Sequence, residues 1–327
     1  MPQIIVENLV KTFHVAERTA GLLGAFAGLV KRRHRTVTAL NGVSFSMEAG
    51  ELLGYIGPNG AGKSTTVKIL SGILVPDSGN VEVLGLTPWK SRIKVVRKIG
   101  VVFGQRTQLW WDLPVIESFE LLREIYGLSH AEYKHNLDEF IELLSLCDVL
   151  NVPVRQLSLG QRMRCDLAAA FLHSPKIVYL DEPTIGLDAI SKLAVRDFIR
   201  KINREREVTI ILTTHDMDDI EALCHRIMVI HEGNILIDGT ISDLRAMVTK
   251  DRLLTVILAD ENGEISDSDA EVVSRDGRQV TLRFNPEAVP PSELISRIVA
   301  KHNISDLFVE NPPIEEIVAK IYRGFQR

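Results

Sequence analysis

Gly57-Pro58-Asn59-Gly60-Ala61-Gly62-Lys63-Ser64-Thr65 fits the pattern G-x-x-x-x-G-K-[ST] of a phosphate-binding loop. Its flanks suit that reading. Leu52 to Ile56 has the pattern of a short apolar strand, and Thr65 to Leu74 spaces Val67, Ile69, Leu70, Ile73 and Leu74 as a helix. Glycines in such a loop let successive backbone N–H groups turn inward around a polyphosphate. The helix N-terminus behind them adds partial positive charge. Lys63 would reach the β- and γ-phosphates, and the Ser64 hydroxyl would bind magnesium (Mg2+). A chance match in a chain of this length has a probability on the order of 1%, so nucleotide binding is the working expectation. The loop alone leaves kinase, GTPase, motor and transporter open.

The 327 residues suffice for one large and one small domain. No apolar run reaches the roughly 18 residues that span a bilayer, Thr19 to Val30 being the nearest and too short, and Met1-Pro2-Gln3 does not open a secretory signal. Cys147, Cys165 and Cys224 match no zinc or redox spacing and read as incidental thiols of a reducing compartment. The net charge of −5 falls wholly beyond residue 250. That acidity argues against nucleic acid as a partner. The one basic cluster is Lys31-Arg32-Arg33-His34-Arg35.

Strand patterns at Ile4 to Val6 and Val37 to Met47 bracket an apparent insertion over 14–36. Its apolar stretch followed by basic residues suggests either a helix lying near anionic lipid or a surface helix of the domain itself. Further strands are expected at 80–84, 99–103, 176–180, 208–213, 226–230 and 235–237. From Pro114 to about His173 the pattern is helical. Strands alternating with helices around the phosphate loop predict an α/β fold on a mostly parallel sheet. After Thr240 the spacing changes to a small α+β module with strands near 253–258, 270–274, 279–284 and 306–309. Helices are expected at 291–302 and 314–323.

Leu157-Ser158-Leu159-Gly160-Gln161 then resembles the signature of ABC-type ATPases, usually written L-S-G-G-Q, with Leu159 in place of the first glycine. The ordered series of phosphate loop, Gln105, signature, Asp181-Glu182, Gly186-Leu187-Asp188 and His215 is similar to an ABC nucleotide-binding domain over residues 1–240. This domain would hold a helical subdomain at 114–173, with 241–327 as an accessory α+β domain. Val101 to Pro114 and Leu157 to Cys165 look like a bacterial exporter subfamily of the viologen and drug type, whose permease is a separate chain. The C-terminal module resembles the small domain that follows the ATPase in drug-resistance exporters. The insertion is similar to that of polysaccharide-exporter ATPases.

The resemblance implies P-loop NTPase chemistry on ATP with magnesium. Gly57 to Thr65 would hold the phosphates, and Ser64, Gln105 and Asp181 would hold the metal. Glu182 would act as general base, and His215 would sense the γ-phosphate. Phe13 would stack on adenine, with Val37 beside the base, although core packing explains either residue equally well. Ser158, Gly160 and Gln161 would face the ATP of a second copy in a head-to-tail homodimer, and Asp188 would sit at its seam. The bulk of Leu159 would loosen that contact without abolishing it. The helical subdomain, the Gln105 loop and Trp110-Trp111 would pass motion to integral-membrane permease subunits. The chain would then sit peripherally on the cytoplasmic face of the inner (plasma) membrane. The competing expectations are a soluble ABC-type ATPase acting on ribosome or DNA, disfavoured by one cassette and no basic face, and a regulatory subunit with little hydrolysis, disfavoured by Glu182, Gln105 and His215.

Overall fold

A computed structural model describes residues 2–16, 34–104, 106–248, 250–260 and 265–325. The chain forms two compact units, residues 1–239 and 240–327.

In the first unit, β1 (Ile4–Ala16), β2 (His34–Met47) and β4 (Ser78–Val83) form an antiparallel sheet in the order β2-β1-β4. Both strands of the β1–β2 hairpin run into the stretch read as an insertion. Val15 pairs with Arg35 and Ala16 with His34, so 14–16 and 34–36 are strand. Ladder hydrogen bonds continue for as long as partners face each other, and the polar residues there do not oppose that. The expected helix within the insertion lies outside the described residues.

A second sheet of six strands has the order β5-β6-β7-β3-β8-β9. Its members are β3 (Leu52–Ile56), β5 (Ile99–Phe103), β6 (Ile177–Asp181), β7 (Thr209–Thr213), β8 (Arg226–His231) and β9 (Asn234–Thr240). The pairs β5–β6, β6–β7, β3–β7 and β3–β8 are parallel. β3 and β7 are buried at every position, the continuous apolar pattern of strands covered on both faces. The phosphate loop leads from β3 into α1 (Lys63–Leu70). Val67, Ile69 and Leu70 of α1 share one core cluster with Leu9, Leu40 and Val83 of the antiparallel sheet and with Leu53, Tyr55 and Ile211 of the parallel one. Each such side chain contributes about 1.5–3 kcal/mol by leaving water. The loop is thereby fixed at the seam of both sheets.

α2 (Arg92–Val96) precedes β5. The helical region comprises α3 (Val115–Tyr126), α4 (His130–Leu143) and α5 (Leu159–Phe171). α6 (Ala189–Arg206) and α7 (Met217–Leu223) follow β6 and β7. The 18 residues of α6 carry a polar surface that hides a helix from a scan for apolar spacing, yet Val195, Phe198, Ile199 and Ile202 are buried.

The second unit holds α8 (Ile241–Val248) and an antiparallel sheet in the order β11-β12-β10-β13. Its strands are β10 (Arg252–Leu258), β11 (Ala270–Asp276), β12 (Gln279–Phe284) and β13 (Ile304–Glu310). Leu294 and Ile298 of α9 (Pro291–Lys301) share a core with Leu254, Val256, Val280 and Leu282. α10 (Ile314–Phe325) follows β13, and its Glu316 pairs with Arg283 of β12 at 3.8 Å.

Candidate active site: a phosphate cleft at the ends of parallel strands

The C-terminal ends of β3, β5, β6 and β7 open on a cleft of about 710 Å³. A crevice at this edge is the usual ligand position in an open parallel sheet. The phosphate loop lines one side, and Asp181, Glu182 and His215 line the other. Gly62 caps α1 at φ 117°, and a Cβ there would come within 2.5 Å of the Ala39 carbonyl oxygen. No acidic residue stands in the first turn of α1, so its free N–H groups keep their attraction for an anion.

Lys63 is only 7% exposed. Its Nζ donates to the carbonyl oxygens of Gly57 at 2.6 Å and Pro58 at 3.3 Å. Burial lowers its pKa, while the charges of Glu182 and Asp181 work the other way. Asp181 ends β6, where its Oδ1 accepts from the Thr213 hydroxyl. Its remaining oxygen capacity, with the Ser64 hydroxyl in the same cleft, suits a hard cation such as magnesium, which takes oxygen ligands and keeps phosphate oxygens in its shell.

Glu182 adopts φ 57°, an uncommon conformation for glutamate that costs on the order of 1–3 kcal/mol. Its N–H donates to the Thr213 carbonyl at 2.8 Å. His215 Nδ1–H donates to Glu182 Oε2 at 2.7 Å. The carboxylate is mostly sheltered while the histidine is open to the cleft mouth. Two ion pairs brace this side, the first on a fully buried carboxylate. Asp219 of α7 accepts from Arg196 Nε at 2.5 Å and from the hydroxyl of Thr184, two residues beyond Glu182. Asp216, next to His215, pairs with Lys192 of α6.

Ser158 caps α5. Its Oγ accepts from Gln161 N at 3.2 Å, and Gln161 Oε1 accepts from Ser158 N at 2.9 Å, a complete capping box. Gln161 thus has a structural task. Asp188 caps α6, accepting from Ser191 N at 2.9 Å and from Ser191 Oγ at 2.8 Å, and these bonds hold its carboxyl below the usual range. Leu159 packs directly on Gly186: a Cβ on that glycine would lie 2.8 Å from Leu159 Cδ2. Ser158, Gly160, Gln161 and Asp188 do not line the phosphate cleft of their own chain.

Phe13 and Val37 are cross-strand partners on the β1–β2 hairpin. Val37 is 41% exposed, and the Lys11 ammonium lies 5.7 Å from the Phe13 ring centre. Neither side chain lines the cleft. Gln105 lies outside the described residues. Arg106, Lys68 and Phe103 line the cleft and escape the sequence reading. For Arg106, its position next to Gln105 is the signal that could have found it; Lys68 lies one turn along α1 from Ser64.

Residues 40–185 match the sequence profile of the family described as ABC transporter. The linearmycin resistance ATP-binding protein LnrL of Bacillus subtilis (strain 168) is 31% identical over 88% of this chain and 94% of its own. The daunorubicin resistance ATP-binding protein DrrA3 of Streptomyces coeruleorubidus is 34% identical over 69% of this chain and 71% of its own. The ATP-binding cassette MJ0796, solved as a dimer in a post-hydrolysis state with ADP and Pi, superposes with a TM-score of 0.61 at 27% identity. It covers 73% of this chain and 98% of its own. With the phosphate loop, the acid pair Asp181-Glu182 and His215 gathered at one cleft, the chain belongs to the ATP-binding, ATP-hydrolysing subunits of ABC transporters.

Proposed function

We propose that this chain powers export through a separate integral-membrane permease, closing as a head-to-tail homodimer on two ATP molecules and opening after hydrolysis. The observation that carries the reading is the separation within one chain of Ser158 and Gly160 from the cleft lined by Lys63, Glu182 and His215. A signature that contacts ATP must then meet the nucleotide of another copy, with the positive N-terminus of α5 directed at its γ-phosphate. Asp188, close to Gly160 through Ser191, would stand at the seam between copies.

In the cleft, the loop amides and Lys63 would bind the β- and γ-phosphates, and Ser64 and Asp181 would hold magnesium. When bound, that ion supplies neutralising charge to the phosphate oxygens. Glu182 takes a proton from the attacking water. The water oxygen bonds to the γ-phosphorus as the bond to the bridging oxygen of ADP breaks. Lys63 and the loop N–H groups stabilise the charge on the leaving oxygen. His215 holds the Glu182 carboxylate in place and reaches the γ-phosphate. Loss of the bridging phosphate removes the differential binding that keeps the dimer closed.

Contact with the permease would fall on the helical region. Trp110 and Trp111 are 39% and 49% exposed, and Leu121 and Ile125 are exposed four residues apart on one face of α3. No helix among the described residues is long and apolar enough to cross a membrane. In the proposed assembly the chain sits peripherally on the cytoplasmic face of the plasma membrane, held by the permease, with no nucleic-acid partner.

The test is a pull-down of tagged Glu182→Gln protein from detergent-solubilised membranes of its host, with and without ATP and magnesium. Co-recovery of a multi-span membrane protein in near-equal amount is expected. Recovery of ribosomal or DNA-bound proteins, or of the ATPase alone, would overturn the transport reading.

A further inference from the structure

We propose that Asp166 is a positioning residue for ATP hydrolysis: it clamps the segment that follows β5 to the helix that begins at Ser158. The inference rests on the proposed cross-copy role of Ser158.

The geometry points there from two ends. At its start, the segment is tied to the acid pair. Gly104 N donates to the Asp181 carbonyl at 2.7 Å, and a Cβ on Gly104 would come within 2.3 Å of the Glu182 carbonyl oxygen. Only glycine allows that approach. Three to four residues later the segment is tied to α5. The Thr107 hydroxyl donates to Asp166 Oδ1 at 2.8 Å, and Gln108 N donates to the same oxygen at 3.0 Å. The Gln108 side-chain amide donates to the Asp166 carbonyl at 2.9 Å, closing the clamp from both sides. Between the two anchors Arg106 lines the phosphate cleft.

Asp166 is only 4% exposed. A buried carboxylate is costly to keep, and an apolar residue would pack this helix at lower cost. What the acid provides is a tie from Thr107 and Gln108 to the helix carrying Ser158, in the same segment whose start, Gly104, is bonded to Asp181. A movement of that helix is then passed to Thr107 and Gln108. A cavity of about 210 Å³, lined by Phe103, Thr107, Gln108 and Asp166 among others, lies beside the clamp and leaves it room to shift as a unit.

The test is steady-state ATP hydrolysis by the full chain at a temperature where thermal melting shows each variant folded. Asp166→Ala is expected to lower kcat about tenfold, with KM for ATP within about twofold, because the phosphate loop is untouched. Both donors converge on one oxygen, so Asp166→Asn can present an amide oxygen to them and should keep at least about half the turnover. Thr107→Val added to Asp166→Ala should cost nothing further, since both break the same bond. A folded Asp166→Ala protein with wild-type kcat would overturn the clamp, as would independent, multiplying effects of the two changes. If Asp166→Ala does not fold, Thr107→Val decides alone: about threefold lower kcat supports the clamp and unchanged kcat overturns it. Wild-type turnover that Glu182→Gln removes checks the underlying reading separately. Should wild type show none, the ATP-induced change in Trp110 and Trp111 fluorescence takes over as readout; the clamp predicts its loss in Asp166→Ala, and its persistence would overturn the clamp.

Discussion

Gly62 shows how one backbone angle secures the phosphate loop. At φ 117°, with the Ala39 carbonyl oxygen 2.5 Å and Leu40 Cδ2 2.7 Å from where a Cβ would stand, no side chain fits without moving β2. Gly62→Ala should therefore weaken ATP binding by at least about tenfold, read by equilibrium titration of the full chain. Gly60→Ala is the control. It carries a comparable positive φ of 83° but finds nothing within 4 Å, so its effect should be the smaller. Equal affinities for wild type and Gly62→Ala would contradict the account. Much at this scale is legible in the sequence, because glycines, Lys63 and Ser64 at fixed spacing leave few alternatives. Glu182 is legible as an acid after a strand; its positive φ and its bond to His215 are not, since both arise from where β7 ends. Gln161 has a second task. Besides its expected nucleotide contact, its side-chain oxygen accepts from Ser158 N in the capping box.

At the scale of elements, apolar periodicity gives most sheet strands and the helices of the 114–173 region close to their observed bounds, but β1, expected over Ile4 to Val6, runs on to Ala16 because it pairs with β2 along its length. Periodicity gives nothing for α6, whose burial depends on four residues in eighteen, nor for α2 at five residues. Two buried polar groups in and just after α5 escape apolar periodicity. One is Asp166, whose carboxyl is pushed up to about 6 by burial, against the bonds from Gln108 and Thr107. Another is His173, just past the helix end. It stacks on Tyr126 at 3.8 Å, and its Nε2–H donates to the Ile99 carbonyl at 2.9 Å. Burial lowers its pKa from 6.5 to about 4. Between those values the unfolded chain takes a proton that the folded chain refuses. The stability from neutral His173 is thus complete above about pH 6.5 and falls as pH drops towards 4. Loss by pH 5 amounts to about 2 kcal/mol. Asp166 acts with the opposite sign: its folded state holds a proton between about 3.8 and 6 that the unfolded state releases, so it favours folding at the acid end of that window. Urea unfolding at pH 7 and pH 5 separates them. His173→Gln should flatten the loss of stability on acidification seen in wild type; an identical loss in both would contradict the assignment.

At the scale of the whole molecule, the similarity to LnrL runs through most of both units, while the family profile ends within the first. The acidic excess beyond residue 250 and the antiparallel sheet of the second unit set it apart chemically from the balanced first unit. In the proposed dimer, one copy holds only half of each working site. Analytical ultracentrifugation of the full-length Glu182→Gln protein tests it most directly, because removing the base should let ATP accumulate without turnover. With ATP and magnesium the protein is predicted to sediment as a dimer carrying two nucleotides, and with ADP as a monomer. A monomer that binds ATP stoichiometrically, at protein concentrations well above its nucleotide Kd, would contradict the claim that Ser158 and Gly160 complete the site of a second copy.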